Sequence, residues 1–113
     1  LRWLNELRRN RIEDVSDLTM ASLPAVRPDD RIVVDCQGKA VTPLLQAIFD
    51  ERRKELYMEG DRWYELKRNG CPEWWVISNG LKYTTREYLY TSPISKSDVD
   101  LNPGLEQNPG YVY

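Results

Sequence analysis

The 113 residues carry a formal net charge of −2, 16 Lys and Arg against 18 Asp and Glu, so no basic excess points to nucleic acid. Histidine is absent and only Cys36 and Cys71 offer thiols, which leaves zinc binding and Cys-His nucleophile chemistry without support. No apolar run approaches the ~20 residues that a membrane-spanning helix needs.

The first twelve residues read as the end of a helix. Leu1, Leu4, Leu7 and Arg8 share a face suited to packing on another helix, and no capping residue precedes them. The basic cluster Arg8, Arg9 and Arg11 fits the negative pole of a helix C-terminus, and Glu13, Asp14 and Asp17 follow closely. Residues 13–40 lose the helical period and read as a long loop punctuated by Pro24 and Pro28. Leu18, Met20, Leu23 and Val26 are the residues expected to pin it down. Within it, Arg31 to Asp35 is a short strand-like run ahead of the turn residues Gln37-Gly38-Lys39. Its partner is either the later hairpin or chain lying elsewhere.

Residues 42–69 are predicted to form one long helix. Thr42 serves as N-cap and Pro43 occupies the first helical position, where no amide donor is missed. Lys67 and Arg68 sit in the last turn, Asn69-Gly70 supplies a left-handed end, and Cys71-Pro72 closes it. Winding from Ile48, one face collects Leu45, Ile48, Arg52, Glu55, Leu56, Glu59, Arg62, Trp63 and Leu66. Four ionisable residues thus enter the apolar stripe. The spacings among Arg52, Glu55, Glu59 and Arg62 are three or four, so a shielded network of these four is expected, fixing how neighbouring segments dock.

Residues 71–113 are expected to hold a hairpin and an irregular tail. Trp74 to Ile77 is compatible with strand or short helix, and Ser78-Asn79-Gly80 is a turn. Lys82-Tyr83-Thr84 and Tyr88-Leu89-Tyr90 look like the two arms of a small β-hairpin, joined by Thr85-Arg86-Glu87. Ser97 to Asp100 allows one helical turn, and Pro103-Gly104 and Pro109-Gly110 keep the rest irregular.

Two kinds of residue invite a functional reading. Glu55 and Glu59 are carboxylates one helical turn apart, and glycoside hydrolysis needs two carboxyl groups flanking a bond. On one helix, however, they point the same way instead of facing across a cleft. Trp74 and Trp75 are candidates for stacking against a sugar ring. Adjacent residues of an extended chain point to opposite sides, so at most one is displayed and the other packs inward. As for the thiols, nothing local brings Cys36 to Cys71, and two unpaired small hydrophobes are expected; an oxidising envelope leaves a disulfide open.

The blocks Glu51-Arg52-Arg53-Lys54-Glu55-Leu56, Glu59-Gly60 and Arg62-Trp63-Tyr64-Glu65-Leu66-Lys67-Arg68 resemble the SusD/RagB family of outer-membrane nutrient-binding lipoproteins. Pro93-Ile94, Asp98-Val99-Asp100, Asn102-Pro103 and Gln107-Asn108-Pro109-Gly110 look like that family's closing segment, in matching order and spacing. The resemblance implies a mainly α fold. This chain would be the C-terminal part of a SusD-like helical, tetratricopeptide-containing domain, with long loops and a small β-hairpin. It implies non-catalytic capture of a nutrient, usually a glycan, with no cofactor and no nucleic acid. The implied partners are a TonB-dependent outer-membrane transporter and the remaining N-terminal part of the same protein. The implied place is the surface of a Bacteroidetes-type outer membrane, lipid-anchored through an upstream segment. The segment itself would be mainly architectural. A carbohydrate hydrolase using Glu55 and Glu59, or a free-standing helical interaction module, are the rival readings.

Overall fold

The structure, a computed structural model, describes residues 1–112. The described chain is mainly α-helical with one two-stranded antiparallel sheet, as the sequence predicts. It divides into two compact units, Leu1–Gly70 and the chain from Cys71 onward.

In the first unit, α1 (Arg2–Arg11) packs against α2 (Pro43–Glu55), and α3 (Asp61–Arg68) follows. Leu4, Ile32, Val41, Ala47, Phe49 and Leu66 are its buried apolar residues. Thr42 caps α2 as its sequence suggests: its Oγ1 accepts from the Leu45 amide at 3.3 Å, with Pro43 in the first turn. The expected single helix over 42–69 is broken, however. Leu56 ends α2, and a turn runs through Met58 (φ 67°) and Gly60 (φ 79°) before α3 begins. Two left-handed residues in three cannot continue a right-handed helix. Gly60 takes its conformation without a Cβ penalty, and Asp61 places its charge on the new N-terminus.

The break shifts the phase of everything after it. Of the stripe predicted from a continuous helix, only Leu66 is fully buried; after the break Glu65 joins it, while on α2 itself Gln46, Ala47, Phe49 and Glu51 already lie inside in place of Leu45, Ile48 and Arg52.

The long loop is held by polar groups as much as by apolar ones. Asn5, buried on α1, uses its side-chain amide like a strand: Nδ2 donates to the Leu18 carbonyl at 2.9 Å, and the Leu18 amide donates to Oδ1 at 2.9 Å. Leu18, Leu23 and Val26 are half-buried, while Met20 is exposed in a single 3₁₀ turn (Met20–Ser22) and pins nothing. The strand-like run of residues 31–35 pairs with its own continuation. The Val41 amide donates to Val33 O at 3.1 Å and the Asp35 amide to Lys39 O at 2.7 Å, giving an isolated bridge between Val34 and Ala40. Neither the later hairpin nor other chain is needed.

In the second unit, β1 (Trp74–Ser78) pairs with β2 (Leu81–Thr85), with Trp75 opposite Thr84 and Ile77 opposite Lys82. The hairpin therefore lies one element earlier than expected. Its loop is Asn79-Gly80, with φ 51° and 75°, the left-handed pair that matches the twist of adjoining strands. Tyr88-Leu89-Tyr90 is not an arm of it but part of a 3₁₀ turn, Glu87–Tyr90. The expected helical turn forms as α4 (Lys96–Leu101), capped by Ser95. The tail beyond it follows a defined path. Gln107 bonds the Ile94 backbone twice, accepting from its amide at 2.8 Å and donating to its carbonyl at 2.8 Å, and Asn108 Nδ2 donates to Ser92 O at 2.7 Å. Gly110, at φ 88°, lies so close to Tyr88 that a Cβ would fall 2.5 Å from Cγ of that ring. The Gln-Asn-Pro-Gly run is thus a docking sequence, each of Gln107, Asn108 and Gly110 having a contact to make.

Candidate functional site

The hairpin and the 3₁₀ turn after it hold the aromatic candidates. Trp74 is half-buried, and its indole Nε1 donates to the Tyr90 hydroxyl at 3.1 Å, which in turn donates to the Pro72 carbonyl at 2.9 Å. Tyr90 is buried, so this chain ties the start of β1 to the turn after β2. Trp75, on the opposite face, is 53% exposed, and the Lys82 ammonium stands 5.0 Å from its ring centroid. Alternation along β1 thus separates the two neighbours as their sequence positions require: one indole anchors the hairpin and the other is displayed.

Of the four charged residues expected to form one network, Arg52 and Arg62 meet on a third residue, Glu65, while Glu55 and Glu59 lie apart from them. Arg52 turns to α3 instead: Nε donates to Glu65 Oε1 at 3.0 Å and Nη2 to Asp61 Oδ2 at 2.6 Å. Arg62 Nη1 donates to Glu65 Oε2 at 2.7 Å. Glu55 faces α1, where Arg11 Nη1 reaches its Oε2 at 3.2 Å. Glu59 is exposed in the turn between α2 and α3 and makes no ion pair among the described residues. The break at Gly60 causes this, because it removes Glu59 from any helical face. Glu65, whose side chain is 3% exposed, is the carboxylate at the centre, and its fork accepts from both Arg52 and Arg62. The sequence offered a sign of it: Arg62 to Glu65 is an i,i+3 pair.

Two more such nodes occur in the first unit. Glu51, on α2, takes Arg11 and Lys54 directly, with Arg8 at 3.9 Å. Arg27 from the loop grips Asp50 with Nη1 and Nη2 at 3.0 and 2.5 Å, and Asp30 with Nε and Nη2 at 3.3 and 2.8 Å. These contacts raise the Arg27 pKa, its hydrogen bond to Asp50 contributing most. Burial acts to raise the Asp30 carboxyl, but Arg27, the Arg31 amide and the Gln46 side chain outweigh it and hold the value below normal. Arg52 likewise resists the lowering effect of burial through its bonds to Asp61 and Glu65, and its pKa rises. A cleft of about 310 Å³ beside the Arg27 node is lined by Arg27, Asp29, Asp30, Arg31, Arg53 and Arg62, with Arg27 and Arg62 already engaged.

This arrangement suits fixing segments in place rather than moving protons. Glu55 and Glu59 do not flank a common space, since one bonds α1 and the other lies in a turn. Cys36 is exposed and Cys71 half-buried, both as thiols. No helix among the described residues is long and apolar enough to cross a membrane.

The first unit is locked by arginine–carboxylate nodes, and the second carries an aromatic hairpin. The chain belongs to the SusD family, whose family model matches residues 2–111. No curated protein and no solved structure matches it.

Proposed function

We propose that this protein captures a nutrient, a glycan, at the outer surface of an outer membrane and passes it to a TonB-dependent transporter without altering it chemically. Membership of the SusD family over residues 2–111 carries the reading. Two features are in keeping with it. The carboxylates that a hydrolase would need are spent on arginine pairs or stand apart, and Trp75 offers a half-exposed indole, with the Lys82 ammonium over its ring, of the kind against which the weakly apolar face of a sugar ring stacks. In this view the first unit is architectural, and Glu65, Glu51 and Arg27 are its fasteners. Trp75 is the glycan-facing residue of the hairpin, while Trp74 supports it from behind.

The test is incubation of the protein with a panel of polysaccharides, following both retention and released product. Retention with the polysaccharide recovered intact is expected. Liberated reducing sugar, abolished by Glu55→Gln or Glu59→Gln, would make the protein a hydrolase and overturn the proposal.

A further inference from the structure

The face of the hairpin that carries Trp75 also carries Ile77, Lys82 and Thr84, because residues opposite one another in an antiparallel pair share a face. All four are exposed. Lys82 makes no ion pair among the described residues, and its one described contact is with the Trp75 ring, at 5.0 Å from the centroid. An ammonium group over an indole is attracted to the ring's π face but keeps its charge uncompensated. The face therefore combines a flat aromatic surface, a cation lacking an anionic partner and a hydroxyl.

That combination is specific in what it complements. A neutral sugar would use the indole and the Thr84 hydroxyl and could offer the ammonium only hydroxyl oxygens, leaving its charge unneutralised. A sugar whose ring bears a carboxylate would use all three, its C–H face taking the place of the Lys82 ammonium on the Trp75 ring while the flexible lysine stem swings that ammonium onto the anion. We infer that this hairpin face binds acidic saccharides, units of the uronate type, with Trp75 as the stacking platform and Lys82 as the anion partner. The inference deepens the glycan-capture reading and rests on it.

Titration of the full chain with oligogalacturonate and with the same oligosaccharide fully methyl-esterified separates charge from ring. The charged form is expected to bind about fivefold more tightly, the scale of one exposed ion pair. Lys82→Gln should erase that difference while leaving the esterified form bound as before. Trp75→Ala should weaken both forms. Because Trp75 and Lys82 are exposed, both variants should melt like the parent, which is measured alongside. Equal binding of the two forms by the parent, or a preference untouched by Lys82→Gln, overturns the inference but leaves glycan capture standing. So does retention of neutral polysaccharides alone. Failure to retain any polysaccharide, neutral or acidic, overturns both.

Discussion

Arg52 on α2 bonds Glu65 on α3 across the break at Gly60, Nε to Oε1 at 3.0 Å, while the same carboxylate receives Arg62 at 2.7 Å. Two helices that do not share an axis are joined through one buried fork. Charge-assisted bonds of this kind hold geometry firmly, because removing the acceptor takes the carboxylate from Arg62 and leaves Arg52 with Asp61 alone.

Glu65→Gln should therefore be costly. Loss of a buried ion-pair partner costs about 3–5 kcal/mol, and since Arg52 and Arg62 retain some solvent the expected loss is nearer to about 2–3 kcal/mol. Glu59→Gln, at an exposed turn position, should stay within about 0.5 kcal/mol of the parent. Denaturant unfolding of the two variants side by side checks this; equal midpoints would remove Glu65 from its central place.

Glycine substitutions should separate backbone strain from crowding. At Gly60 a Cβ meets nothing within 4 Å, so Gly60→Ala pays only for a left-handed alanine, about 1–2 kcal/mol. At Gly110 the same strain is joined by collision with Tyr88, so Gly110→Ala should detach the tail. Loss of the edge-to-face contact of Tyr88 and Tyr111, whose centroids lie 5.1 Å apart, would be read from their aromatic proton shifts.

Two side-chain amides do equivalent work in different units, Asn5 on Leu18 and Gln107 on Ile94. Each satisfies both backbone groups of one residue in a segment without regular structure. Asn5→Ala and Gln107→Ala should each cost about 1–3 kcal/mol. Hydrogen exchange at the Leu18 and Ile94 amides should accelerate in the matching variant only.

Acid should loosen the loop before the helices. Asp30 and Asp35 both have carboxyl pKa values held below normal, Asp35 by the backbone amides of Lys39 and Gln37. A carboxyl whose folded value lies below its unfolded value of about 3.9 stabilises the fold fully above that pH. The contribution fades as pH falls through the lowered value. Thermal melts should thus be flat from pH 7 to about 5 and drop below about 4, with a shallower drop in Asp30→Asn.

Local chemistry was legible where a residue's role depends on its neighbours in sequence. Thr42-Pro43 caps a helix, Ser97 to Asp100 makes a turn of helix, and the alternation of Trp74 and Trp75 separates anchor from display. The break at Gly60 was hidden because Ile48, Leu56 and Trp63 keep an apparent helical period through it, and a glycine inside a helical pattern is often tolerated. A continuous helix would put Glu59 in the charge network and Glu65 one position off the stripe; the break exposes Glu59 and leaves Glu65 at the centre. The hairpin differs from expectation for another reason. Asn79-Gly80 is the strongest short hairpin signal in the chain, but the β-forming residues Tyr88 and Tyr90 drew the second arm forward. The contacts of Asn5 with Leu18, Arg27 with Asp50 and Gln107 with Ile94 join positions thirteen to twenty-three residues apart, a distance that periodicity does not report.

The fork at Glu65 also has a lopsided tolerance to mutation. Arg52 can be lost and Arg62 still neutralises the carboxylate; Arg62 can be lost and Arg52 remains, with Asp61 keeping Arg52 in place. Either arginine is a spare for the other. The carboxylate has no spare, so single changes at the cationic positions should accumulate quietly while one at the acidic position fails at once. A lineage drifting under selection for the fold alone would vary first at the arginines and last at Glu65.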